Sequence, residues 1–238
     1  NEIAKYLNTD HESFIFSNSE VIKFIESTPN VFSEPFADSS QLPTLLVSKL
    51  AKQKVKVVLT GDGGDELFGG YNRYIYANKF WKKYKLINSK LFKYFFINAI
   101  KLMPNNFYKL FNLISGTSLN MYSLDKVLKK LPQINDQLSY YETLIKEWSH
   151  KDILSVTSNT CLIENRIKKI FDLDKYSFEE KMMLSDFYTY LPDDILCKVD
   201  RSSMYYSLET RAPFLNKDLI ETSFNMPIKY KLHNGNSK

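Results

Sequence analysis

At 238 residues, with ordinary apolar content and heavy use of Tyr and Phe, the chain is long enough to bury a sizeable core and is not composed like a disordered segment. Its net charge of +5 comes from lysines scattered along the whole length, with no basic stripe, which argues against a nucleic-acid partner. Two cysteines, Cys161 and Cys197, exclude a disulfide framework and a zinc spacing, and the most apolar tract, Tyr94 to Ile100, is too short to span a bilayer; with no signal peptide, a cytoplasmic protein without a membrane partner is expected.

In chain order, Asn1 to Leu7 reads as the end of a helix and Asp10 to Ser17 has strand character. Ser19 starts a short helix that Pro29 ends. Glu34 to Pro43, with two prolines and a polar centre, is a loop. Thr44 to Lys52 is a helix that leads into an apolar, β-branched strand, Val55 to Leu59. Glu66 to Tyr84 reads as one helix. Alternating helix and strand over residues 1–80 is the pattern of a parallel sheet with helical crossovers. Residues 81–238 are mainly helical, with helices expected at Ile87–Met103, Phe107–Ile114, Tyr122–Leu131, Ser139–Trp148, Cys161–Phe171, Ser177–Leu191, Asp193–Leu208 and Asn216–Phe224. Aromatic stripes such as Phe80, Tyr84, Phe92 and Phe95-Phe96 belong to a core.

The most informative stretch is Leu59-Thr60-Gly61-Asp62-Gly63-Gly64-Asp65-Glu66-Leu67-Phe68-Gly69-Gly70-Tyr71, which holds five of the seven glycines. A strand, a glycine turn and a helix start form the place where α/β sheets put ligands. Glycines let backbone N–H groups approach a ligand closely, and a helix N-terminus favours anions such as phosphate. Asp62, Asp65 and Glu66 are themselves anions, so a phosphate beside them calls for a hard cation between. Mg²⁺ takes one or two carboxylates together with phosphate oxygens. The stretch therefore points to a Mg-nucleotide or Mg-pyrophosphate site. A plain alternative is a tight turn with Asp62 or Asp65 as N-cap.

A second stretch runs from Leu191-Pro192-Asp193-Asp194 through Lys198, Arg201 and Met204 to Glu209-Thr210-Arg211-Ala212-Pro213-Phe214-Leu215. Pro192 and the two aspartates read as a helix start, and Asp194, Lys198 and Arg201 share one face of that helix. Spacing leaves two possibilities equal. One is an exposed ion-pair face worth only ~0.3–0.5 kcal/mol; the other is a cationic wall for phosphate or carboxylate.

Together, Glu34-Pro-Phe-Ala-Asp-Ser-Ser-Gln41, the glycine stretch and the segment from Leu191 to Leu215 resemble the asparagine synthase family, in order and in spacing. The likeness is to the synthetase domain of glutamine-hydrolysing asparagine synthetases, and residues 1–238 read as part of that domain. It implies an α/β fold of the PP-loop ATP pyrophosphatase type, with a parallel sheet truncated at its N-terminus and a mostly helical C-terminal half. It implies ATP and Mg²⁺ as cofactors, aspartate as substrate, and a β-aspartyl-AMP intermediate that ammonia displaces. The ammonia would come from glutamine on an N-terminal glutaminase domain of the same polypeptide, and a homodimer is compatible with the family.

Carried over residue by residue, Thr60 and Gly61 resemble the ATP-contacting pair at the strand end, with Gly63 and Gly64 beside them. Asp62 stands at the acidic position of the adenylation step, and Asp65 looks like the Mg-pyrophosphate carboxylate. Arg201 matches a basic position near the phosphates, and Glu209 and Arg211 match the family's Glu-x-Arg. Lys238 resembles a lysine that stabilises formation of pyrophosphate. The family's S-G-G-x-D-S phosphate loop is absent from the sequence, and position 1 is Asn rather than a nucleophilic Cys. The chain thus reads as excised from a longer protein, inactive alone. A related amide- or lactam-forming adenylating ligase, or a non-catalytic domain, are the alternatives.

Overall fold

A computed structural model describes residues 2–86, 95, 98, 130–146, 148, 150–157 and 167–232. The chain divides into two compact units, Asn1–Asp62 with Pro192–Pro213, and Gly63–Leu191 with Phe214–Lys238. The expected helices Ile87–Met103 and Phe107–Ile114 lie outside the described residues, apart from Phe95 and Asn98. So do residues 122–129 and 161–166 of two others.

The first unit opens with α1 (Glu2–Tyr6). The strand expected over Asp10–Ser17 does not form; the segment is irregular. A strand needs a neighbour for its backbone groups, and among the described residues this stretch pairs with none; Ile15 is almost fully exposed. Helix α2 spans Asn18–Val31, so it begins earlier and ends later than expected. Ser17 caps it, exchanging bonds with Glu20 in a capping box. Pro29 is inside the helix rather than its end. Its missing N–H leaves the Ile25 carbonyl short of a donor, and the Thr28 hydroxyl donates to that carbonyl at 2.8 Å.

Helix α3 (Gln41–Lys52) likewise starts before Thr44 and takes Pro43 into its first turn, where a missing N–H costs nothing. Strand β1 (Val57–Leu59) follows. Val31, Phe32 and Leu45 form this unit's core, with Phe24, Phe36 and Tyr206 against it.

The expected helix start at Pro192 is not one. Leu191–Leu196 is a π-helical stretch running directly into α10 (Cys197–Tyr205), a wide turn of the kind often found at functional sites. Ser207, at φ 55°, turns the chain out of α10 into β2 (Glu209–Arg211), a strand that the helical reading did not anticipate. Strands β1 and β2 pair in parallel, Val57 with Glu209 and Leu59 with Arg211.

In the second unit, the single helix expected over Glu66–Tyr84 is two: α4 (Gly64–Phe68) and α5 (Asn72–Leu86). Gly69 breaks it, because at φ 74° its backbone is left-handed, a cost glycine avoids. The described elements that follow are α6 (Gln137–Ile145), α7 (His150–Val156), α8 (Lys168–Phe171), α9 (Phe178–Tyr188), α11 (Lys217–Asn225) and α12 (Ile228–Lys231). Asp136, Ser177 and Asn216 cap α6, α9 and α11. Tyr74, Tyr84, Tyr140, Tyr141, Phe171, Phe178, Met182 and Met183 make an aromatic-rich core, in line with Tyr84 as core, but Phe80 and Phe95, expected there too, are exposed, and Phe92 and Phe96 lie outside the described residues. Among the described residues, no helix is long and apolar enough to cross a membrane.

Candidate functional site

Two parallel strands end on the same side, and the residues that follow them are the sequence's strongest candidates. The Thr60 N–H donates to the Arg211 carbonyl at 2.8 Å, extending the ladder one step past β1. This places Thr60, Gly61 and Asp62 at the carboxyl end of β1 beside the end of β2, where open α/β sheets bind ligands. Thr60 Oγ1 and Asp62 Oδ2 are both buried without a hydrogen-bond partner. Two orphaned oxygens so close in the chain are unusual, since buried polar atoms are nearly always paired. A Cβ on Gly61 would meet nothing within 4 Å, so that position is open to a close approach.

Glu209 and Arg211 form an ion pair on the exposed face of β2. Arg201, also exposed, donates from Nη1 to Ser33 Oγ at 2.7 Å. It thereby reaches the loop after α2, beside a groove of about 460 Å³ whose walls include Phe32, Ser33, Glu34, Phe36 and Gln41.

The first unit contains a further cluster that the sequence reading singled out only in part. Lys198, 7% exposed, donates to Asp38 Oδ2 and, at 2.6 Å, to Ser40 Oγ. Asp38 also accepts from the N–H and the hydroxyl of Ser40 at 2.8 Å, and its carboxyl shares a hydrogen bond with Asp194. Burial works against the Asp38 charge, but Lys198 and Ser40 outweigh it and hold the group down at about 2. Burial first, then the neighbouring Asp38, pushes Asp194 up to about 6. Asp194 Oδ1 is buried with no partner. The exposed ion-pair face is therefore excluded for Lys198: Asp194, Lys198 and Arg201 all reach toward residues 33–40. The missed signal was Asp38-Ser39-Ser40 itself, an Asx-turn whose carboxylate invites a buried cation.

In the second unit, Gly63 is the N-cap of α4 at φ 85°, and the room its missing Cβ leaves is filled by the Leu215 side chain. Gly64 is buried as the first residue of α4, and Asp65 follows in the first turn, half-buried. With five residues, α4 aligns few peptide dipoles, so the field expected of a long helix N-terminus is small. Glu66 is buried and pushed upward by burial; it accepts from the Tyr71 hydroxyl at 2.7 Å. Lys238 lies outside the described residues.

Among the described residues, no group of three or more His, Cys, Asp or Glu could hold a metal alone. Mg²⁺ bound through one or two carboxylates and substrate oxygens does not need such a group. Asp65, half-buried in the first turn of α4, is a hard-oxygen donor of the type that mode uses.

Comparison with known proteins gives a consistent result. The asparagine synthase family model matches residues 1–238. The chain is similar, at 29% identity over its whole length, to asparagine synthetase [glutamine-hydrolyzing] 1 of Bacillus subtilis, covering 35% of that protein. It is 28% identical over 209 residues to putative asparagine synthetase [glutamine-hydrolyzing] 2 of Methanocaldococcus jannaschii, covering 85% of this chain and 36% of the relative. Over 75 residues it is 39% identical to asparagine synthetase [glutamine-hydrolyzing] 1 of Arabidopsis thaliana, 29% of this chain and 12% of that one. The chain thus spans about a third of the length of the first two. No solved structure matches.

Proposed function

The chain belongs to the asparagine synthase family, and we propose that the polypeptide carrying it makes asparagine from aspartate at the expense of ATP, on a PP-loop pyrophosphatase fold. The observation that carries this is the pair of buried, unpartnered oxygens, Thr60 Oγ1 and Asp62 Oδ2, at the carboxyl ends of two parallel strands. A site with unused hydrogen-bonding capacity at that place suits a polar ligand.

A carboxylate is a poor electrophile. In the proposed reaction, an oxygen of the aspartate side chain attacks the α-phosphorus of ATP, and the bond to the β-phosphate oxygen breaks. The products are β-aspartyl-AMP and pyrophosphate. Ammonia then attacks the acyl carbon, loses a proton and expels AMP. Glutamine would supply the ammonia through a glutaminase domain of the same polypeptide, in the cytoplasm.

In this reading Thr60 and Gly61 contact ATP, with Gly63 and Gly64 shaping the turn that follows. Asp62 orients the reactants of the adenylation step. Arg201, Glu209 and Arg211 form a polar wall for the phosphates, and Lys238 stabilises the departing pyrophosphate. Asp65 would hold Mg²⁺, which supplies charge neutralisation for the pyrophosphate. Positioning and preorganised charge are what such a transfer needs from a protein.

The test is aspartate-dependent exchange of labelled pyrophosphate into ATP by the intact polypeptide. Exchange is expected, and Asp65→Ala should abolish it. Exchange that needs no aspartate, or survives unchanged in Asp65→Ala, would refute the assignment.

A further inference from the structure

The turn after α4 does more than end a short helix. The main-chain carbonyl of Asp65 accepts from the N–H groups of both Gly69 and Gly70. The Asp65 side chain also lies over this turn: a Cβ on Gly70 would stand 1.9 Å from Asp65 Oδ1 and 2.6 Å from its carboxyl carbon. Any side chain at position 70 must therefore move the carboxylate or the turn. Gly70 does not have a positive φ, so the requirement is for space rather than for an unusual backbone.

The turn is braced from the residue that follows it. The Tyr71 hydroxyl donates to buried Glu66. Its ring lies 4.2 Å from the Arg73 guanidinium, which the Tyr190 ring faces at 5.2 Å. Arg73 Nε donates to Asp186 Oδ2 at 3.0 Å. Asp186 is fully buried and accepts from the hydroxyls of Tyr74 at 2.5 Å and Tyr141 at 2.6 Å. On the far side of α4, Ser223 Oγ donates to the Leu67 carbonyl at 2.6 Å. A chain of contacts thus runs from Asp186 through Arg73 to Tyr71, the residue next to Gly70, over which the Asp65 carboxylate lies.

We propose that Gly70 is a positioning residue whose missing side chain, fixed in place by the Tyr71–Arg73–Asp186 brace, sets the orientation in which the Asp65 carboxylate meets a divalent cation. The inference rests on the reading of Asp65 as a Mg-pyrophosphate ligand. A group acting behind a metal ligand commonly changes affinity about 10–100-fold when altered.

The test uses the intact polypeptide that carries this chain, with Mn²⁺ and inorganic pyrophosphate as probes and water-proton relaxation as the readout, alongside the melting temperature. The wild-type polypeptide should bind Mn²⁺-pyrophosphate, and Asp65→Ala should lose that binding. Gly70→Ala should weaken it about tenfold or more and have no further effect in an Asp65→Ala background. A merely structural role would instead lower the melting temperature equally in both backgrounds and leave the affinity alone. Tyr71→Leu, which removes the ring against the Arg73 guanidinium as well as the bond to Glu66, should weaken binding to a lesser degree, and it serves if Gly70→Ala does not fold. Wild-type affinity in whichever of these variants folds would overturn the positioning role while leaving Asp65 as a ligand. Equal binding by wild type and Asp65→Ala would overturn both the inference and the ligand assignment.

Discussion

Each unit holds a carboxylate next to a cation, Asp186 fully buried and Asp38 half-buried, and the two are provided for differently. Asp186 is surrounded by donors: two tyrosine hydroxyls and the Arg73 guanidinium satisfy it. Arg73 Nη2 is 2.9 Å from Oδ2, close enough for attraction though not aligned as a hydrogen bond. Asp38 also has its cation, Lys198, but it faces a second carboxyl, Asp194, whose Oδ1 has no partner. The difference separates a brace from a reactive place. The Asp186 carboxylate is saturated with donors and fixes structure, although Arg73 Nη2 beside it makes no hydrogen bond; the Asp38–Asp194 pair disfavours double ionisation and keeps an unpartnered carboxyl oxygen.

The largest effect should come from breaking the saturated network. Asp186→Ala leaves half-buried Arg73 without its counter-charge and two tyrosine hydroxyls without an acceptor. A cost of about 3–5 kcal/mol is expected for losing one partner of a buried ion pair. Both tryptophans, Trp81 and Trp148, belong to the second unit, so urea unfolding followed by tryptophan fluorescence reports on that unit. A midpoint unchanged from wild type would dismiss the brace.

A smaller loss should follow in the first unit. Lys198→Met keeps the length and apolar stem of the side chain but strips Asp38 of its cation, at a cost of about 1–3 kcal/mol for a buried group left unsatisfied. Amide exchange at Leu45 and Leu46, which lie in α3, should accelerate accordingly. If exchange there is unaffected, the Asp38–Lys198 pair does not hold this unit together. The loss should be below that of Asp186→Ala, because Ser40 still donates to Asp38.

These contrasts also show where the chain was readable. The glycine stretch was legible because strand, turn and acids are local chemistry, and Thr60 to Asp62 stand at the strand end as spacing implied. Helix boundaries failed where a side chain replaced a backbone partner: Thr28 stands in for the amide that Pro29 lacks, and Ser17 caps two residues before Ser19. Strand β2 was invisible since Glu209-Thr210-Arg211 has no apolar alternation and exists only by pairing with β1, about 150 residues upstream. The buried role of Lys198 was equally hidden, because its partner is Asp38, 160 residues away. Local pattern cannot supply a contact made across that distance.

The finest distinction between the two carboxylates is in how they respond to pH. Asp194 is raised from 3.8 to about 6, so the folded state holds a proton that the unfolded chain has released. Its contribution to stability is complete below about 3.8 and is lost as pH rises to about 6. Asp38 runs the other way: lowered to about 2, it stabilises above 3.8 and its contribution disappears as pH falls toward 2. The first unit should therefore be most stable near pH 4 and lose protection as pH climbs from there to about 6. Exchange at Leu45 and Leu46, corrected for intrinsic rates, measures this. In Asp194→Asn a neutral amide replaces the shared proton, so the loss between those values should vanish while the acid-side loss remains. An unchanged slope in that variant would mean that the carboxyl pair does not share a proton, and the contrast with Asp186 would then rest on packing alone.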